Sequence, residues 1–322
     1  MPTKNTQNRP FLPCIVGPTG AGKSAAALAL ARQMPLCVVN ADSRQVYRDF
    51  PLITAQPSQE EQACCPHRLY GFLPTMRKLG AGAYARAATR VLAQDRARGL
   101  QPVLVGGTGL YFKALLEGIA PIPDVPEGIS QAIRLRVDTE GPQALHHILA
   151  DMDPAYAAKI HPHDRQRIAR ALEVHAATGK SLSWWHAQPL PPVAFHVCKV
   201  GIGLPLDELE PILKKRIDLM LQAGALDEAR KAMAICNKAD APGWSGIGCQ
   251  EVHAYLTGTV SLDECRHLWL RNTRAYAKRQ YTWFKADKSI RWFRPEDTDN
   301  AVRHMLEAWG KTPRAQSAMP AQ

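Results

Sequence analysis

The octapeptide Gly17-Pro-Thr-Gly-Ala-Gly-Lys-Ser24 constrains this chain more than any other feature. It satisfies G-x-x-x-x-G-K-[ST], follows the apolar run Pro13 to Val16 and precedes a helical pattern read as Ala25 to Gln33. Strand, loop and helix in that order are the context of a phosphate-binding loop. The glycines let backbone amides turn inward around anionic oxygens, and the helix N-terminus adds its dipole. Lys23 neutralises charge and the Ser24 hydroxyl can hold Mg2+. Gly17, Pro18, Thr19, Gly20, Ala21, Gly22, Lys23 and Ser24 are therefore the expected diphosphate-binding residues, with Ser24 the expected metal ligand. Such a loop reports a pyrophosphate or triphosphate group; it does not report a nucleotide.

Further apolar, β-branched runs at Cys37 to Val39, Val103 to Val105 and Val197 to Ile202 read as strands, with a weaker candidate at Leu69 to Leu73. The first two lead into helical patterns, which predicts an α/β fold: a P-loop core with a central parallel sheet flanked by helices. Proline clusters at 120–128 and 189–193 bracket a stretch with helical patterning only. The expected organisation is a first part of the core at 10–120, a mainly α-helical insertion domain at 121–193 and completion of the core at 194–310. The last part closes on a long helical segment whose Ser261 and Glu264 fit a capping box. A disordered tail is expected at 311–322.

The second question is what Asp42 does. It follows LCVVNA, at the carboxyl end of a strand, where ligands of open α/β sheets gather. Three roles compete: a magnesium ligand, a general base opposite the phosphate, and the N-cap of a following helix. Residue type alone ranks capping first. Ser43, Gln45 and Tyr47 shift the balance, because a carboxylate, hydroxyl and carboxamide together can accept from and donate to a base edge. Gly106-Gly107-Thr108-Gly109 follows another strand; its tight glycine turn permits close backbone approach, and the Thr108 hydroxyl is placed to touch a bound phosphate.

Charge narrows the partners. Forty Lys+Arg against 29 Asp+Glu gives +11, which favours a polyanion. Eight cysteines show no C-x-x-C pair, so reduced thiols and a cytoplasmic setting are expected. MPTKNTQNRP lacks the apolar core of a signal peptide and no apolar run reaches the ~20 residues that span a bilayer, so a soluble protein is expected.

Taken in order, GPTGAGKS, NADSRQVY, VGGTGLYFKALLEG, DPAYAAKIHPHDRQRIARALEV, RIDLMLQAG and TRAYAKRQYTWF resemble the tRNA dimethylallyltransferases. The match runs through nearly the whole chain. The resemblance implies that the loop cradles the diphosphate of dimethylallyl diphosphate rather than ATP. The acceptor would be N6 of the adenosine 3′-adjacent to the anticodon in tRNA. Asp42 would be the general base, with Thr108 and Arg216 stabilising the departing diphosphate. Asp42, Ser43, Arg44, Gln45, Thr108, Gln166, Arg167, Ile168, Ala169, Arg170, Arg274 and Lys278 would contact tRNA, and the enzyme would act as a monomer with Mg2+. On the C-terminal helix, Leu262, Cys265, Trp269, Tyr276 and Trp283 are expected to form a core stripe opposite a basic one. Pro211, Ile212, Cys249 and Gln56 depart from the family's pattern.

Two rival readings compete with this one. An ATP-dependent small-molecule kinase would use Asp42 as a magnesium ligand, but has no need of DSRQVY with TRAYAKRQYTWF. A GTP-binding switch would read guanine with Asn237-Lys-Ala-Asp240, but that motif should end a buried strand and here follows a helical pattern. The histidines at 146, 147, 161 and 163 read as surface residues.

Overall fold

The computed structural model describes residues 9–188 and 195–311. The boundary prolines at 189–193 and nearly all of the expected tail lie outside the described residues. The chain divides into two compact units, one running up to Leu116 and resuming after the insertion, the other beginning at Glu117.

The first unit is built on a parallel sheet of β1 (Phe11–Val16), β2 (Leu36–Asn40), β3 (His67–Arg68), β4 (Gln101–Gly106), β5 (His196–Ile202) and β6 (Arg291–Phe293). Their order is β3-β2-β4-β1-β5-β6. Both faces are covered, which is why β1 and β2 read as continuous apolar runs. Ile15, Val38, Val103 and Val105 pack on one face with residues of helices Lys23–Ala31 and Thr298–Gly310. Cys14, Val16, Val39 and Leu104 pack on the other with helices Ala81–Ala97 and Gly109–Leu116. Leu12, Ile15 and Leu104 are fully buried, each worth about 1.5–3 kcal/mol. The chain steps from β1 over β4 to β2, and from β4 over β1 to β5. The crevice above β1 and β4 is thus the switch point where ligands bind in such sheets.

Several expectations are corrected. The strand candidate Leu69 to Leu73 fails because Leu69 (φ 62) and Gly71 (φ 55) are left-handed; pairing is confined to His67–Arg68, with one bridge from Leu73 to Tyr47. The helix after the loop begins at Lys23 rather than Ala25. β6 and helix Thr298–Gly310 were not anticipated. In the long helix Leu262–Lys285, Ser261 accepts from the Glu264 amide, but only this half of the expected capping box forms. The buried face of that helix is Cys265, Trp269, Ala277, Gln280 and Phe284, while Leu262 (36%) and Trp283 (47%) are exposed. A seven-residue spacing drifts by about 20° per repeat around a straight helix, enough to carry its ends off the core face.

The regular elements of the second unit are all helices among its described residues, with Leu145, Leu149, Ile168, Ala171 and Leu172 in its core. Asp153 is buried because both its oxygens are used: one accepts from Tyr156 N–H, the other from Ser183 N–H.

Candidate active site

The loop between β1 and helix Lys23–Ala31 is forced by contact with β5. A Cβ on Gly17, at φ 144, would lie 2.1 Å from the Ile202 carbonyl oxygen, so only glycine fits. Lys23 folds back within the loop and donates to the Pro18 carbonyl at 2.7 Å. Burial pulls its ammonium down to about 8; the Asp42 charge opposes this and Arg216 adds to it. Ser24 is exposed on the first turn of the helix.

Asp42 sits just beyond β2. No helix follows it, so the helix-cap reading is replaced by a tighter one: its Oδ1 accepts from Arg44 N–H at 2.8 Å, closing a local turn. Asn40, fully buried at the end of β2, sets the backbone by accepting from the Asp42 amide and donating to the Asp42 and Leu69 carbonyls.

The turn 106–109 after β4 is glycine-rich because other groups of the protein approach its backbone closely. None of its glycines has a positive φ. A Cβ on Gly106 would strike the Ala41 backbone at 2.3 Å, one on Gly107 the Gln280 amide nitrogen at 2.0 Å, and one on Gly109 the Trp283 indole nitrogen at 2.0 Å. The bare backbone admits β2's continuation and two side chains of the long helix. Thr108 Oγ1 accepts from Ser43 N–H at 2.9 Å, donates to Ser43 Oγ at 3.3 Å and meets the Tyr276 hydroxyl. Burial and the Asp42 charge push that tyrosine up to about 12.

A cavity of about 390 Å3 brings the pieces together. Thr19 of the loop, Asp42, Arg44 and Arg216 supply its polar wall, and Leu213, Ile217, Met220, Ile53 and Trp269 much of its apolar one. Burial lowers the Arg216 guanidinium from its usual range while Asp42 counteracts the shift. Arg44 is braced by Ser245 Oγ at 2.8 Å. The segment carrying Ile53 is held by Glu228, whose carboxylate accepts from the Leu52 and Ile53 amides.

Not every expected site residue reaches this cavity. Thr108 lies behind its wall, joined to it through Tyr276. Gln45 donates its amide nitrogen to the Thr54 and Ala55 carbonyls, which ties it to the protein's own loop. Tyr47 is buried. Arg274 pairs with Glu210 at 2.6 Å. Lys278 borders a separate depression with Tyr281, Lys285 and Trp292. Gln166, Arg167, Ala169 and Arg170 lie on helix Arg165–Thr178 of the second unit, Arg167 beside Asp164 and Arg170 beside Glu173. Ile168 is fully buried there, so its side chain is a core residue and not an RNA contact.

One residue at the site was missed altogether. Gln280, 3% exposed, accepts from Thr19 N–H at 2.9 Å and donates to the Gly107 carbonyl at 3.0 Å. Thr19 therefore spends its amide on the long helix, leaving other loop amides to turn towards phosphate oxygens. The available signal was a carboxamide at a core-facing helical position.

Residues 45–287 match the profile of the IPP transferases. The chain belongs to the IPP transferase family. It is 58% identical over 301 residues to the tRNA dimethylallyltransferase of Nitratidesulfovibrio vulgaris (strain Miyazaki F), covering 89% of each chain. A full-length tRNA isopentenylpyrophosphate transferase from Bacillus halodurans superposes with a TM-score of 0.69 at 30% identity, over 95% of this chain and 99% of that one. A eukaryotic dimethylallyltransferase acting on tRNA gives 0.74 at 26% identity, over 96% and 77%. The α/β fold with its parallel sheet is thus that of the IPP transferases. The departures from the family's pattern are absorbed locally. Helix Leu206–Gln222 runs unbroken through Pro211 and delivers Leu213, Arg216, Ile217 and Met220 to the cavity. Ile212 is exposed and Cys249 fully buried, with Ile247 and Gln250 beside it on the cavity wall. Gln56 donates to the Tyr47 carbonyl at 2.7 Å. The described residues contain no helix long and apolar enough to cross a membrane.

Proposed function

We infer that this IPP transferase moves a dimethylallyl group from dimethylallyl diphosphate to N6 of the adenosine 3′-adjacent to the anticodon in tRNA, releasing diphosphate. The observation that carries this reading is the sharing of one cavity by phosphate-loop Thr19, the carboxylate of Asp42 and the guanidinium of Arg216. An adenine amine is a poor nucleophile because its lone pair is conjugated into the ring. As its nitrogen bonds to the allylic carbon and the carbon–oxygen bond to diphosphate breaks, Asp42 takes the N6 proton. Lys23, Arg216 and loop amides meet the charge that grows on the departing oxygen, each fixed donor contributing about 3 kcal/mol. The apolar wall of Leu213, Ile217, Met220, Ile53 and Trp269 keeps water from the cationic allylic carbon.

Magnesium fits this chain in one way. Ser24 offers an exposed hydroxyl, and among the described residues no cluster of three His, Cys, Asp or Glu forms a cage, which suits an ion held mainly by diphosphate oxygens and water. Bound there, it would supply further neutralisation of the leaving group. The enzyme is read as a cytoplasmic monomer that engages the anticodon stem-loop.

Purified protein incubated with Mg2+, dimethylallyl diphosphate and unmodified tRNA should yield N6-prenyladenosine on nucleoside analysis. No such product, together with brisk ATP turnover, would favour the kinase reading instead.

A further inference from the structure

We propose that Gln280 is a positioning residue that fixes the gap between the phosphate loop and Asp42, and so governs turnover without touching either substrate; this rests on the prenyl-transfer reading. Its carboxamide bridges two loops that the chain itself does not connect. On one side it accepts from Thr19 N–H; on the other it donates to the Gly107 carbonyl. From Gly107 the coupling passes along the backbone to Thr108 and from there through hydrogen bonds. Thr108 N–H donates to the Ala41 carbonyl at 3.1 Å, and Thr108 Oγ1 takes the Ser43 amide, so the residues before and after Asp42 are both tied to this turn. A loop holding the leaving group and a carboxylate receiving a proton are therefore spaced by one buried amide.

The site is built for that amide. It is buried on a helix otherwise apolar at Ala277 and Phe284, and Gly107 leaves no room for a Cβ beside its nitrogen. An amide satisfies one donor and one acceptor at fixed separation; a methionine of similar length satisfies neither, and an ionised glutamate sets two acceptors against each other at Gly107. A protonated glutamate restores both bonds, because its O–H replaces the amide N–H.

The test uses the full chain with Gln280→Met and Gln280→Glu, thermal melting of each, and steady-state kinetics with dimethylallyl diphosphate and unmodified tRNA. Q280M should lower kcat by about thirtyfold or more while KM for tRNA stays within about twofold. For Q280E, activity relative to the parent should rise about tenfold as pH falls from about 8.5 to 6, a gain that a merely structural side chain would not give. Parental kcat in Q280M, or a Q280E ratio flat with pH, overturns the proposal. Binding of inorganic diphosphate supplies a readout independent of prenyl transfer: Q280M should weaken it about fivefold, by displacing the loop. Should the parent make no prenyladenosine, the function reading fails by itself, and unaltered diphosphate affinity in Q280M would then sink the positioning role separately.

Discussion

Asn40 grips Asp42 at both ends of its backbone, accepting the Asp42 amide proton on Oδ1 at 2.8 Å and donating Nδ2 to the Asp42 carbonyl at 3.0 Å. The proposed base is thereby aimed by a neighbour that never reaches the cavity. Asn40 is fully buried, so replacement by alanine leaves three partner groups unsatisfied. Asn40→Ala should lower stability by about 1–3 kcal/mol and reduce kcat further than the melting shift accounts for. Chemical denaturation and kinetics at a temperature where both proteins are folded will separate the two effects.

Asp42 itself gives the sharpest test of mechanism. Asp42→Asn keeps an oxygen for the Arg44 amide but cannot accept a proton at neutral pH. Its turnover should fall by about 10²–10⁴-fold, with tRNA affinity measured by filter binding nearly unchanged. Unchanged turnover would refute the base assignment.

Lys23 sets a pH limit on donor binding. Its ammonium is drawn from the usual 10.5 down to about 8 in the ligand-free protein. A bound diphosphate favours the charged form, so donor affinity is greatest below about pH 8 and declines as pH rises through that value. The linkage to folding has the opposite sense. The fold carries the cost of burying a charged ammonium below pH 8, and that cost fades as pH climbs towards 10.5. Donor KM measured across this range should bend near pH 8 in the parent and lose the bend in Lys23→Met, whose KM is high throughout.

Gly106 offers a stability test unrelated to phosphate. An added methyl would meet the Ala41 backbone at 2.3 Å, with no flexible side chain to yield. Gly106→Ala should cost about 1–3 kcal/mol or more through overpacking, read as a lowered Tm. A melting curve like the parent's would mean that β2 and β4 separate more readily than their contact implies.

Much of this architecture was legible in the chain because its strands are buried on both faces and its loop motif is long. β1, β2, β4 and β5 announce themselves as apolar runs. β6 does not: Arg291-Trp-Phe293 is three residues at a sheet edge, too short for any periodicity. Asp42 could be placed beside the phosphate loop from its position after a strand, but the absence of a helix after it could not. Trp283 is expected on the core stripe yet is exposed, because hydrophobicity followed at intervals of seven drifts off the packed face, and the same spacing passes over the buried Gln280. The packed face instead steps from Trp269 to Ala277, Gln280 and Phe284. The anchoring of Gln45 was not legible for a different reason, since nothing local reveals that the carbonyls of residues 54 and 55 accept from its amide.

The long helix lends Trp269, Tyr276 and Arg279 to the chamber wall and, on the same rigid rod, Gln280 to the loops. Enlarging the chamber from this side would shift its calibration along with its size. Attempts to admit bulkier prenyl donors should therefore carve lining contributed by other elements, at Met220 or Ile53, and leave the rod intact.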